Sequence, residues 1–184
     1  MRVNPYGEDP LRLAVRLVNE PVHSAAELQV VCQQAGVVLE RPVSKTDLAQ
    51  TYRMLDDWLA VLDAEEAEQR AQVLNQLLAS SATYPSLTDH QGDGWHLHYR
   101  EENLALWQIL RTMLYVGTAL HLAGRGMNRL GRCQATNCER IYVDFSRPGS
   151  QRYCSPACAN RSAVQRHRDR SRGIPAGNRK VSIG

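Results

Sequence analysis

Cys133-Gln-Ala-Thr-Asn-Cys138 and Tyr153-Cys154-Ser-Pro-Ala-Cys158 decide how the end of this chain folds. The spacing is C-x4-C-x15-C-x3-C, two tight pairs about one hairpin apart. Paired cysteines at that separation suit a closed tetrahedral zinc site, because each pair spans one edge of the tetrahedron. The intervening stretch reads as a hairpin. Ile141, Val143 and Phe145 alternate with Tyr142, Asp144 and Ser146, a turn follows at 147–150, and Tyr153 leads back to the metal. Ser155 is a good N-cap and Pro156 suits a first helical position, so the second pair should sit at a helix start. This predicts a treble-clef or zinc-ribbon-like four-cysteine module, with ligands Cys133, Cys138, Cys154 and Cys158. Four thiolates leave no open coordination position, so the expected Zn2+ is structural and not catalytic.

The helix behind Cys158 is basic. Arg161, Gln165, Arg168 and Arg172 recur at steps of four, three and four, and Arg166 and Arg170 flank them. Ala159 and Val164, with Ala163 at the margin, are its apolar positions and are expected to pack on the hairpin. Arginine forks suit phosphate or guanine. Arg147, Arg152, Asn160, Arg161, Gln165, Arg166, Arg168 and Arg172 are the candidate nucleic-acid contacts. The charge of the whole chain supports this division. Residues 1–130 carry 11 Lys and Arg against 16 Asp and Glu, whereas residues 131–184 carry 11 against 3. An acidic body with a basic end points to DNA as a partner.

Working back towards the N-terminus, most segments read as helix. Ser24-Ala-Ala-Glu27 is a capping-box pattern for a helix stopping near Gly36. Ser44 and Asp47 open another, with Leu48, Tyr52, Leu55, Leu59 and Leu62 on one stripe. Whether it continues through Asp63 or breaks there stays open. Residues 101–123 predict a long helix ended by Gly124 and Gly126. Residues 11–18 alternate as a strand, with a short helix as the alternative, residues 80–94 read as a loop, and Trp95-His-Leu-His-Tyr99 reads as a second strand pairing with the first. The fold class is therefore mainly α with a small antiparallel β-sheet. Asn19, His96 and His98 would then line a candidate ligand pocket. Cys32 lies in an apolar helical pattern and reads as a buried small hydrophobe.

The stretch 132–172 resembles the CGNR zinc finger. Val143-Asp-Phe-Ser-Arg147 and Tyr153-Cys-Ser carry the likeness, and Cys158-Ala-Asn-Arg161 departs from it only in Ala159 for glycine. Residues 1–130 resemble, more loosely, the ABATE domain that precedes such fingers, through Leu11-Arg-Leu-Ala-Val-Arg-Leu-Val-Asn19, the Trp95–Tyr99 strand and Leu130-Gly-Arg-Cys133. The resemblance implies a bacterial, stress-responsive transcription regulator, with a ligand-sensing domain at 1–130, a DNA-binding finger at 131–172 and a flexible tail at 173–184.

Two rivals stand beside DNA binding. One is an adaptor whose finger docks on an acidic protein of the transcription machinery. The other is an RNA-binding module using Tyr142, Phe145 and Tyr153 for stacking. No phosphate-binding glycine loop, nucleophile elbow or convincing carboxylate pair is present, so no enzyme activity is expected. The N-terminal residues show no apolar signal region and the chain has no 18-residue apolar run, so a cytoplasmic protein without a membrane partner is expected.

Overall fold

The computed structural model describes residues 7–39, 41–81, 85–88, 96–99 and 104–171. The first described element is a helix, α1, over Glu8–Asn19, where the alternating leucines favoured a strand over the short helix that was the alternative. Its buried positions are Pro10, Leu11, Leu13, Ala14 and Leu17, a helical spacing that extends beyond the short alternating run. Glu8 and Asp9 in the first turn and Arg16 in the last complement the helix dipole. Gly7 caps this start with φ 65°, and a Cβ there would run into the Gly117 carbonyl. Backbone therefore meets backbone where α1 crosses the long helix.

Helices α2 (Ala25–Gln34) and α3 (Lys45–Asp63) begin at the predicted serines. Ser24 Oγ accepts from Glu27 N at 3.2 Å, and Ser44 and Asp47 form a full capping box. The chain breaks after Asp63, and α4 runs Ala67–Ala79, which settles the open question of one helix or two. Helix α5 spans Leu106–Arg125. Gly124 lies inside it, and Gly126 alone ends it, with φ 101°. The fully buried set includes Trp58, Tyr115, Leu11, Leu17, Leu28, Leu55 and Leu114. Helices α1, α3 and α5 contribute most of them, and α4 packs on α3 and α5.

Two short antiparallel strand pairs stand beside the helices among the described residues. Strand β1 (Ser86–Thr88) pairs antiparallel with β2 (His96–His98). The expected partner of β2 was residues 11–18, which are helical, and β1 falls inside the stretch predicted as a loop. Strand β3 (Leu130–Arg132) pairs antiparallel with β4 (Ile141–Val143). Leu130, Ile141 and Val143 belong to the main core beside the helices. The hydrophobic core thus runs across the boundary expected at residue 130.

Asn19, the last residue of α1, ties β4 to the body. Its amide donates to the Ile141 carbonyl and accepts from the Ile141 N–H, both at 2.9 Å. Asn19→Ala leaves both main-chain groups unmatched in a partly buried place. A loss of about 2–4 kcal/mol is expected, read as a lower denaturant midpoint with unchanged slope.

Candidate metal centre and basic helix

The first cysteine pair sits in the turn of the β3–β4 hairpin. The ladder extends one step past β3, with Cys133 N donating to the Arg140 carbonyl at 2.8 Å. The chain then turns through Asn137, the one non-glycine residue with positive φ among those described (59°), and Cys138 N donates to Ala135 O at 3.2 Å. Asparagine tolerates that left-handed conformation better than most residues. The hairpin predicted between the two pairs is therefore displaced. Strand β4 pairs backwards with β3 and encloses the first pair, instead of pairing forwards with Tyr153. The return segment instead crosses the knuckle, with Gln134 N donating to the Arg152 carbonyl at 2.9 Å.

The second pair sits where the sequence predicts. Helix α6 spans Pro156–Ser171, and Ser155 caps it by accepting from Cys158 N at 3.3 Å. Cys158 lies in the first turn, where the helix dipole favours a thiolate. Cys138 and Cys154 sulfurs are 3.7 Å apart, Cys154 and Cys158 3.6 Å, and Cys158 and Cys138 3.8 Å. All four sulfurs, Cys133 included, lie within 4.8 Å of one another. A tetrahedron with metal–sulfur bonds of about 2.3 Å has edges of about 3.8 Å. The donors therefore fit a four-thiolate metal ion, and the separations are far too long for disulfides. The Ser155 hydroxyl draws the Cys158 thiol down to about 7, while burial and the bond to Cys158 push Cys154 up to about 12. All four can ionise together only around a positive charge.

Asp144 is the site residue the sequence reading missed. In the predicted hairpin it alternates with the apolar Val143 and Phe145, yet it is fully buried. Its carboxylate accepts from Ser146 N at 2.8 Å, Ser146 Oγ at 2.5 Å and Gln151 N at 2.8 Å, with the Arg129 guanidinium at 3.8 Å. Burial alone would raise its pKa, but the bonds from Ser146 and Gln151, with Arg129, lower it. Asp144 thus organises the turn that carries Arg147. The signal was present in Asp144-Phe-Ser146, an aspartate followed two residues on by a donor.

The same turn is wired to the body. Phe145 lies under Arg12, whose guanidinium carbon is 4.1 Å from the ring centroid, and meets His121 edge-on at 5.1 Å. Glu8 pairs with Arg125 at 2.8 Å beside them, and Arg132 grips Asp63 through two bonds of 2.7 Å. His121 is fully buried. Burial lowers its pKa below 6.5, assisted by Arg125 and Arg129 and opposed by the Asp144 main chain and Glu8. The unfolded chain therefore binds more protons between that lowered value and about 6.5, and stability falls as pH drops through this window. The slope for one proton is at most about 1.4 kcal/mol per pH unit. His121→Phe should flatten the dependence, as measured by denaturant midpoints across pH.

The candidate nucleic-acid residues divide into two groups. Arg161 donates to Cys158 Sγ at 3.3 Å, Arg166 to the Tyr153 hydroxyl at 2.7 Å, and Gln165 to Asp169 at 2.9 Å. Arg147, Arg152, Asn160 and Arg168 are exposed, and their side chains make no hydrogen bond or ion pair among the described residues. Arg172 and the expected tail 173–184 lie outside the described residues. Val164, expected on the hairpin, is 51% exposed, Ala163 is also exposed and Ala159 is only half-buried. Helix α6 buries Cys158 alone and projects from the metal centre instead of packing along the hairpin.

The candidate ligand pocket has lost the sheet that motivated it. Asn19 is committed to Ile141, and the side chains of His96 and His98 lie outside the described set. Cys32 is buried and its thiol is pushed up to about 12 by burial, which makes it an inert core residue. Among the described residues no helix is long and apolar enough to cross a membrane.

Fold and site together define a helical body carrying a four-cysteine metal-binding finger. Residues 129–171 match the family model described as the CGNR zinc finger, and this segment belongs to that family. No curated protein matches the chain.

Proposed function

We propose that the chain is a DNA-binding regulator in which zinc clips the β3–β4 hairpin to the start of α6. The observation that carries this reading is the set of uncommitted guanidiniums around the clip. Arg147 and Arg152 flank the return segment, Arg168 projects from α6, and none of them makes a hydrogen bond or ion pair among the described residues. Such cations attract phosphates without prior rearrangement. Zinc fits because four thiolates at tetrahedral spacing suit its chemistry, and metal analysis of the purified protein tests that choice. Its role is to hold the two pairs together, and the reading assigns no catalytic step to any residue. By its resemblance to ABATE, the helical body is the sensing part.

The test is duplex binding across a salt series. Log affinity is expected to fall linearly with log salt, and Arg168→Ala should reduce the slope by about one unit. Salt-independent affinity, or no binding to any duplex, overturns the reading. Single-stranded RNA outcompeting duplex DNA would reassign it to RNA. Capture of an acidic transcription protein from nuclease-treated extract, with no duplex binding, would make the finger an adaptor.

A further inference from the structure

Four thiolates around a divalent cation leave the cluster with excess negative charge, and Cys133 and Cys158 are both 7% exposed. Buried negative charge needs donors aimed at it. Two nitrogen donors reach a sulfur among the described residues. One is the main-chain N–H of Cys154, 3.4 Å from Cys133 Sγ. The other is the Arg161 guanidinium, 3.3 Å from Cys158 Sγ. Arg161 stands three residues after Cys158, so both lie on one side of α6. Its charge meets a sulfur that also receives the helix dipole.

We infer that Arg161 is a positioning residue of the metal centre, holding the Cys158 thiolate and offsetting its charge, and is not part of the outward basic surface. The guanidinium acts through the sulfur and does not touch the metal. Partners of this kind fix ligand orientation and commonly change metal affinity by about 10–100-fold. Arg168, seven residues further along the same helix, makes no contact with the cluster and serves as the internal comparison.

The experiment uses the full chain without nucleic acid, so it is independent of DNA binding. Zinc-loaded parent, Arg161→Ala, Arg161→Gln and Arg168→Ala are challenged with a chromogenic chelator. Each is also loaded with cobalt(II) to record the thiolate-to-metal charge-transfer band. Arg161→Ala is expected to hold zinc about 10–100-fold more weakly. Its cobalt band should move to longer wavelength, because an unassisted thiolate releases electron density more easily. Arg161→Gln keeps an N–H donor and good helix propensity, so an intermediate result there reports the lost charge and not a lost helix. Arg168→Ala should match the parent in both readouts. Equal zinc retention and identical cobalt bands in the Arg161 and Arg168 variants overturn the inference while leaving the metal centre standing. A protein that takes up neither zinc nor cobalt(II) overturns both.

Discussion

Stripping the metal from the full chain will melt α6 and the cysteine knuckle while the helical body stays folded. The buried residues around the metal are Cys133, Ala135 and Cys158, with Cys138, Tyr153 and Cys154 partly covered. That is too little apolar surface to hold a fold unaided. Metal binding in such modules contributes about 10–16 kcal/mol of apparent folding free energy at neutral pH. Helix α6 has no reserve of its own. It spans 16 residues, none past Cys158 is buried, and Arg166 and Arg170 stand four apart with like charges. Leu130, Ile141 and Val143, by contrast, sit in the core of the body and need no metal to remain there. Chelation should therefore remove the far-UV helical signal of α6 alone. The near-UV signal of Trp58, fully buried and bonded to Thr118 Oγ1 at 3.0 Å, should persist. Joint loss of both signals would show that body and finger fold as one unit.

Arg70→Met should destabilise the body by about 3–5 kcal/mol, the largest effect expected of a single side chain here. Arg70 is 6% exposed. It donates to the carbonyls of Val61 at 3.0 Å, Leu62 at 3.2 Å and Ala64 at 2.6 Å, and also to Met127. The first three lie at the C-terminal end of α3, where helical carbonyls lack intrahelical partners. Met127 belongs to the lead-in to β3, so one guanidinium closes α3 and fastens the approach to the finger. Methionine fills similar volume but abandons these carbonyls in a dry place. Arg70→Lys should rescue little, because one ammonium cannot serve two separate segments with the geometry of a planar fork. Denaturant midpoints of the three proteins decide this, and a loss below about 1 kcal/mol for Arg70→Met would refute it.

Local chemistry was readable in the sequence, and long-range pairing was not. Ser24, Ser44 and Ser155 each cap the helix expected of them, since a cap depends on residues three apart. The cysteine cluster was readable for the same reason, because spacing alone brings each pair together. Residues 11–18 misled because eight residues are too few to separate period 2 from period 3.6 when leucine and arginine alternate. Strand β3 was overlooked because three residues, Leu-Gly-Arg, carry no pattern until β4 lies beside them. Arg70 carries no signal in the sequence beyond its charge, and only the end of α3 folding over it reveals its use. Arg161 and Arg166 were grouped with the outward arginines because helical periodicity gives direction but not partner.

The exposed course of α6 has a mechanical consequence. It is a beam clamped at one end, with Cys158 in the clamp and Arg168 ten residues out. At about 1.5 Å per residue the overhang is about 15 Å, so a tilt of about 10° at the clamp swings Arg168 through about 2.6 Å. That is nearly a full hydrogen-bond length. The brace from Arg166 to the Tyr153 hydroxyl grips the beam eight residues out, two short of Arg168, so losing it should blur the far end more than the near end. Aim at the tip is thus governed by stiffness at the root, and a loosened thiolate would be felt as lost accuracy well before the metal is lost.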